Sequence, residues 1–303
     1  SSRSLQLKKE KHTGMKLIKD VLFMLLAVGM FGSCIKEDLD DCPKYSVNTL
    51  SLSYKGDGTT EIFNEKIEKV VMYVFDENEQ LVTTRELTKE EVAQRGVTMP
   101  DLAPGRYRVV CFGNMRNTQT NDLTCGDCDK MYCAAEEYFT RKTISGNDPL
   151  YYASLEVVVT EEDQHWTQEF ESAHYKVSVE VAGVPAESNL TIELCNVLPY
   201  TTFENVAGGE ATTYVLDCDY KDGLQSALSH IMRHKDHSEV DVCVRNAGGK
   251  EMAKVNLADF LAANLMIDCT RNEVLIAIRF EFKNADVEVS VPEWYIEMVK
   301  PEF

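Results

Sequence analysis

The sequence predicts an all-β protein built from two β-sandwich domains in series, and three observations support this fold class. Short segments in which apolar and polar residues alternate recur along the chain, as in half-buried strands. Turn residues separate these segments at intervals of about ten residues, as in sandwiches. Only two short segments, 223–234 and 257–265, show helical spacing instead. We therefore expect two Greek-key sandwiches with one or two short helices.

Seven strand candidates fall in the first half of the chain. A Pro-Gly turn at Pro104-Gly105 separates two of them, and a long polar stretch, Asn114–Asn147, has no clear periodicity and is predicted to be a loop. The predicted strands are Tyr45–Tyr54, Ile67–Phe75, Leu81–Leu87, Val97–Leu102, Arg106–Gly113, Pro149–Val159 and Trp166–Phe170.

The second half repeats this style and contains the two predicted helices. Gly223–His234 places leucine, isoleucine and methionine at helical spacing, and Leu257–Leu265 follows Asn256, a good N-cap residue. The predicted strands are His174–Val181, Asn189–Cys195, Ala211–Tyr220, Glu239–Asn246, Lys250–Val255, Glu273–Lys283 and Ala285–Met298. Since His174–Val181 has the pattern of an opening strand, the predicted domains are residues 44–171 and 172–303.

A secretory signal is predicted ahead of the first domain, in residues 15–33. Basic residues precede the apolar run Val21–Gly32, which is shorter than the twenty or so residues of a membrane span. Small residues then lead into Cys34, as in a lipobox, so Cys34 is expected to be the acylated first residue of the mature protein. The alternative is an ordinary cleaved signal with an incidental cysteine. Residues 1–14 precede Met15 and are expected to be non-native or upstream sequence.

The predicted lipid-bearing tether, residues 34–43, is acidic. Lys36, Glu37 and Asp38 follow the cysteine after one residue, Ile35, an arrangement that resembles the export signal of surface lipoproteins in some Gram-negative bacteria. The alternative is a solvated spacer. We expect the protein at the outer membrane, held by its acyl chains and exposed on the cell surface, because several acyl chains anchor a protein stably.

The charge of the chain excludes one class of partner. It contains 31 Lys and Arg against 50 Asp and Glu, a formal net charge of −19. Nucleic-acid binding depends on clustered basic residues, so no nucleic acid is expected as a partner.

Cysteine is the first residue type that could carry chemistry, with ten in the chain. Cys125, Cys128 and Cys133 cluster in the predicted long loop. Such a cluster forms disulfides outside the cytoplasm, remains as free thiols, or binds zinc if further ligands lie nearby. No second Cys/His pair follows at finger spacing, so no metal or other cofactor is expected.

Histidine is the second such residue type, and its arrangement does not predict catalysis. His230, His234 and His237 have helical spacing, but no glutamate follows the first histidine as in a zinc protease. The sequence also lacks a nucleophile elbow and a glycine-rich phosphate loop. We therefore expect no enzyme.

Four stretches together resemble a known family. Ser33–Pro43 joins the lipobox to an acidic segment, Leu102–Asn114 has the pattern L-x-P-G-x-Y-x-V-V-x-x-G-N, and Asp148–Ala153 and Asn256–Leu261 follow. The chain resembles the FimB-type fimbrial anchor lipoproteins, which are minor subunits of type V pili. The resemblance implies two transthyretin-like sandwiches and a lipid-held subunit that ends the pilus at the outer membrane and influences its length.

The resemblance also implies a partner, the stalk subunit or pilin, held by β-strand complementation. Strand addition to an exposed sheet edge is a general mode of such contacts. The candidate strand-exchange segment is the alternating C-terminal run with Pro292 at its middle; the alternative is a last strand that closes its own sandwich. Its candidate residues are Val287, Val289, Val291, Trp294 and Ile296.

A different class of function stays open beside the anchor. A surface lipoprotein can bind a glycan or a host protein through sandwich loops, and exposed aromatic side chains would favour this. Tyr132, Tyr138 and Phe139 in the long loop are the candidates.

Overall fold

Thirteen elements follow Ser46 in the first half of the chain, in a computed structural model that describes residues 46–299. They are β1 (Asn48–Ser53), α1 (Phe63–Lys66), β2 (Val70–Asp76), β3 (Leu81–Glu86), α2 (Lys89–Gln94), β4 (Gly96–Thr98), β5 (Gly105–Gly113), β6 (Thr118–Thr120), β7 (Tyr132–Ala135), α3 (Glu136–Thr140), β8 (Tyr151–Val159), β9 (Gln164–Glu169) and β10 (Glu171–Ser172).

The second half continues with a further set of strands, two helices and one 3₁₀ turn at Ala186–Ser188. The strands and helices are β11 (His174–Ala182), β12 (Thr191–Val197), β13 (Tyr200–Thr202), β14 (Ala207–Gly208), β15 (Thr212–Val215), β16 (Cys218–Lys221), β17 (Leu224–Met232), β18 (Asp241–Arg245), β19 (Glu251–Asn256), α4 (Leu257–Ala263), β20 (Leu275–Lys283), β21 (Asp286–Ser290) and α5 (Glu293–Val299).

The first sandwich packs a three-stranded sheet, β4-β1-β9, on a five-stranded sheet, β10-β8-β5-β2-β3. Its first and penultimate strands, β1 and β9, run parallel, while the larger sheet is antiparallel. Leu50 and Leu52 from one sheet meet Val74, Val109 and Ala153 from the other in one buried cluster. Alternate residues of β1 point inward, so the predicted periodicity of two is the physical origin of this core.

The second sandwich has the same design. A five-stranded sheet, β16-β17-β11-β20-β21, packs on a four-stranded sheet, β15-β12-β18-β19, and its opening strand β11 again runs parallel to a late strand, β20. Val177, Val179 and Ile278 of the larger sheet face Ile192 and Val242 of the smaller one. The predicted all-β architecture with two β-sandwiches is confirmed.

A fifth sheet joins the two halves of the chain. Its order is β14-β13-β7-β6, so two strands come from each half, and Tyr200 of β13 lies opposite Ala134 of β7. Beneath this sheet a separate core gathers Tyr73, Phe75 and Phe112 with Phe203 and Met232 from the second half. The five-stranded sheet of the first sandwich is therefore buried on both faces over part of its length.

A hydrogen-bonded latch fixes the sandwiches on the other side of this junction. We define the latch as Tyr54, Asp57, Tyr151, Asn272 and Glu273. The Glu273 carboxylate accepts hydrogen bonds from the hydroxyls of Tyr54 (2.5 Å) and Tyr151 (2.9 Å). Asp57 accepts the backbone N–H groups of Asn272 (2.6 Å) and Glu273 (3.0 Å).

Burial acts to raise the pKa of Glu273, but its neighbours outweigh that effect. The two tyrosine hydroxyls and the Lys66 ammonium, 3.4 Å from Oε2, hold the pKa below its ordinary value. The carboxylate therefore stays charged and keeps both phenols as donors.

One predicted helix is wrong and the other is confirmed. Gly223–His234 is not a helix: its residues Leu224–Met232 form β17, which pairs with β11 along its whole length. Leu257–Ala263 is helical as predicted, and the Asn256 side chain accepts the N–H of Asp259 as its cap. The predicted long loop contains β6, β7 and α3, so that expectation was also wrong in part.

The predicted boundary between residues 171 and 172 stays a prediction. The two-residue strand β10 spans that position and pairs with β8 of the first sandwich, and β11 opens the second sandwich at His174. The described residues, 46–299, lie within one compact unit, which agrees with the shared sheet and the latch.

Removal of the latch carboxylate should destabilise the whole unit. We expect Glu273→Ala to lower the free energy of unfolding by about 2 kcal/mol, because two buried phenol hydroxyls lose their acceptor. Urea unfolding followed by circular dichroism measures this. Glu288→Ala, which removes an exposed pair with Lys283, is the matched control and should leave the free energy of unfolding nearly unchanged. Equal losses in both variants would contradict the latch.

Candidate functional site

The predicted lipidation site and export signal lie outside the described residues. Cys34, Lys36, Glu37 and Asp38 precede Ser46, where the description begins. Within residues 46–299, none of the helices has both the length and the apolar character needed to cross a bilayer.

The candidate strand-exchange segment divides into a strand and a helix. Val287 and Val289 belong to β21, where they lie opposite Phe282 and Phe280 of β20. This strand is at the edge of its sheet, and no other strand of the described chain pairs with its outer side. The N–H of Val287 donates to the Asp286 carboxylate (2.8 Å), and the other backbone groups on that side form an edge open to strand addition. Val291 is buried directly after the strand.

The sequence predicts that Trp294 and Ile296 continue the strand. This is wrong, because both residues lie in α5. Pro292 directly precedes the first residue of this helix, and its carbonyl accepts the N–H groups of Tyr295 and Ile296. Proline is tolerated there because its missing N–H would have no partner within the helix. The indole of Trp294 donates to Glu180 (2.6 Å), so the helix is tied to β11, the central strand of the larger sheet.

The cysteine cluster does not form a single site. Cys125 is exposed, whereas Cys128 and Cys133 are buried, and all three carry free thiols. Burial raises the pKa of Cys128 to about 12 and moves that of Cys133 in the same direction. Both buried thiols are therefore protonated at neutral pH and are poor nucleophiles and metal ligands.

One group of side chains has the composition of a metal site. Potential ligand atoms of Glu79, Cys128 and Glu204 lie within 4.8 Å of one another. The guanidinium of Arg108 occupies the same place: it is hydrogen-bonded to Glu204 and lies 3.7 Å from Glu79. Since this cation pairs with both carboxylates, the group ties the first sandwich to the segment after β13.

His230 lies in β17, the strand that replaces the predicted helix, whereas His234 and His237 follow that strand with ring centroids 6.3 Å apart. His230 on β17 packs against His174 with ring centroids 5.2 Å apart, and burial lowers the pKa of both to about 4. His234 accepts the N–H of Leu198 on Nε2. These rings are neutral structural groups of the second sandwich rather than a metal-binding face.

The structure brings the three predicted aromatic residues together with a fourth. Tyr132 stacks on Tyr200 at a centroid distance of 3.9 Å and lies nearly parallel to Phe139 at 6.1 Å. Tyr138 meets the other rings edge-on. We call Tyr132, Tyr138, Phe139 and Tyr200 the aromatic cluster; each is partly exposed.

Sequence reasoning missed Tyr200 because it lies in the other half of the chain. Pairing of β13 with β7 places it, and no spacing in the sequence signals that pairing. Its ring is held over Gly208, where an added Cβ would lie 2.6 Å from a ring carbon. Only glycine leaves room for the ring at that position.

The described chain has the architecture of a β-sandwich protein, with two joined sandwiches and an open sheet edge at β21. Residues 39–300 match the family of Fimbrillin-A associated anchor proteins Mfa1 and Mfa2. The chain belongs to this family of fimbrial anchor proteins.

Individual relatives agree with the family and with the fold. The major fimbrium anchoring subunit FimB of Porphyromonas gingivalis is 36% identical over 80 residues, and the match spans 26% of each chain, about a quarter of that relative's length. The structure of the fimbrial anchor protein Mfa2 from Porphyromonas gingivalis is similar with a TM-score of 0.64 at 14% identity, over 81% of this chain and 97% of that one.

Two further structures share the fold. A candidate adhesin from Bacteroides ovatus has a TM-score of 0.68 at 16% identity, over 82% of this chain and 95% of that chain. A candidate polysaccharide-binding protein from Bacteroides thetaiotaomicron has a TM-score of 0.65 at 13% identity, over 81% and 96% of the two chains.

Proposed function

We propose that this protein is the lipid-anchored base subunit of a fimbria, which attaches the pilus to the outer membrane and limits its length. The match to the anchor family over residues 39–300 carries this proposal. The joined sandwiches support it, because a rigid unit passes a pull on the pilus to its own attachment point without separating its halves. The role is structural and involves no catalysis.

Attachment to the membrane is assigned to Cys34, with Lys36, Glu37 and Asp38 directing export to the cell surface. Acyl chains on this cysteine would stabilise membrane attachment by about 0.8 kcal/mol for each methylene group that they bury in the bilayer. A net charge of −19 keeps the rest of the chain away from anionic lipid.

Contact with the stalk subunit is assigned to the open edge of β21. Val287 and Val289 fix the strand by packing inward against the second core, and Glu288 between them is exposed. An added strand from a pilin would pair with the free backbone groups, while the exposed face of Trp294 and Met298 on α5 would meet its side chains.

Loss of the acylated cysteine should release the protein. We expect Cys34→Ala to move most of the protein, with any attached pili, from the outer-membrane fraction to the culture medium, because the acyl chains that we propose as its anchor are lost. Cell fractionation and immunoblotting measure this. Cys125→Ala changes an exposed cysteine away from the tether and should leave the protein in the membrane. A Cys34→Ala protein retained in the outer membrane would refute the lipid anchor.

A photocrosslinking residue on the β21 edge should capture the stalk subunit. We expect a benzoylphenylalanine in place of Glu288 to give a crosslinked band containing a pilin, identified by mass spectrometry of piliated cells. The same residue in place of Glu156, on a strand of the first sandwich, is the control and should give none. Pilin captured equally from both positions, or from neither, would overturn the β21 assignment.

A second candidate function rests on the aromatic cluster. Partly exposed aromatic rings bind sugars through their faces, so the alternative is a surface lipoprotein that binds a glycan. If this is right, Phe139→Ala should lower binding to a glycan recognised by the wild-type protein on an array at least tenfold. Tyr220→Ala removes an exposed aromatic side chain outside the cluster and should not. A wild-type protein that binds no glycan would leave only the anchor function.

A further inference from the structure

A short segment of the first half closes one side of the second sandwich. We call residues Ile144–Asn147 the strap. It follows α3 and precedes β8, yet Ile144 is buried within the core of the second sandwich, together with Val177 and Leu194. The strap therefore contributes a side chain to a core built otherwise almost entirely by residues after position 173.

The strap pairs with the edge of the smaller sheet. Ile144 forms a parallel bridge with Tyr214 of β15, and its carbonyl accepts the N–H of Val215 (2.9 Å). β15 is the edge strand of its sheet, so this bond covers backbone groups that would otherwise be open.

The same segment covers part of the larger sheet. β16 pairs only with Leu224–Ala227 of β17, which leaves the rest of that side of β17 without a strand neighbour in the described chain. There the N–H of Asn147 donates to the carbonyl of His230 (2.8 Å), and the Ser229 hydroxyl donates to the carbonyl of Ser145 (2.9 Å). The strap thus bridges the edges of both sheets.

Two side-chain features make the fit selective. At the third strap position, an added Cβ on Gly146 would lie 2.3 Å from the Ser229 hydroxyl, so only glycine fits while that hydroxyl keeps its place. At the fourth, the Asn147 side-chain oxygen accepts the hydroxyl hydrogen of the buried Tyr214 (2.7 Å).

We propose that the strap is an internally donated strand in a strand-acceptor site, which closes this edge of the second sandwich to any partner. The site accepts an extended peptide with an aliphatic residue, then glycine two positions later and asparagine after it. Because the chain fills the site itself, strand addition by a pilin is confined to the other open edges, including β21. This restriction on pilin addition rests on the proposed anchor function. The strap would leave the anchor with one sheet edge to which no further subunit can add a strand.

The test uses the full chain and a fluorescent synthetic peptide with the sequence of residues 141–148. The tethered strap competes at an effective concentration in the millimolar range, about what a short flexible linker gives. Wild-type protein should therefore bind the peptide at least tenfold more weakly than variants whose strap is displaced. Ile144→Asp displaces it by placing a charge in the core, and Gly146→Val displaces it by the clash with Ser229.

A matched control and a second measurement keep the result decisive. Leu265→Asp adds the same charge at an exposed position and should bind the peptide as weakly as wild type. Hydrogen exchange of wild type should show the amides of Val215 and Asn147 protected as strongly as the sandwich strands, and both displacing variants should lose that protection.

Three outcomes would overturn the proposal. They are peptide binding by wild type as tight as by the variants, a folded Ile144→Asp or Gly146→Val protein that binds no peptide, and rapid exchange of Val215 and Asn147 in wild type. None of these measurements involves a pilin, so failure of the anchor assignment and failure of the strap proposal are separately visible.

Discussion

The five-stranded sheet of the first sandwich must be covered on both faces, and the arrangement of the whole unit depends on this. One face of β2 and β5 packs on the smaller sheet through residues such as Val74 and Val109. The opposite face carries Tyr73, Phe75 and Phe112, which are too apolar to leave in water. The fifth sheet and Phe203 cover them, so the first sandwich cannot complete its own burial without the second half of the chain.

The latch acts on the other side of the same junction, and its hydrogen bonds fix the orientation of the two sandwiches. Apolar contact alone would allow the sandwiches to slide, because the hydrophobic effect has no preferred direction. The bonds from Tyr54 and Tyr151 to Glu273 have fixed geometry and a charged acceptor, which makes them stronger than neutral hydrogen bonds. In the proposed role, with load passing between a lipid anchor and a pilus, this combination resists bending at the junction, since bending would break charged hydrogen bonds and expose apolar rings together.

Much of the fold could be predicted from periodicity, and the failures have physical causes. The strands β2, β5, β8, β11 and β20 were predicted nearly to their ends because their inward positions are consistently apolar. The end of the C-terminal segment was predicted to be a strand, since a proline is compatible with an edge strand or a bulge. In the structure the strand ends at Ser290 and a helix follows Pro292. The partnership of Tyr132 with Tyr200 could not be predicted, since it depends on a pairing between strands of different halves.

The wrong helix prediction for β17 and the presence of the strap have a common cause in the side chains of β17. An inward-facing row of a sandwich strand is normally aliphatic, but in β17 it includes Gln225 and Ser229, while Leu228 faces out and is largely exposed. The alternation of apolar and polar residues is therefore obscured, and the remaining apolar residues have a spacing that resembles that of a helix. Both polar side chains are buried with carbonyl partners, Gln225 on Leu190 and Ser229 on Ser145 of the strap. A buried hydroxyl costs free energy unless it has a hydrogen-bond partner, and for Ser229 that partner is the Ser145 carbonyl of the strap. The departure from alternation at Ser229 is therefore the trace that the strap leaves in the sequence.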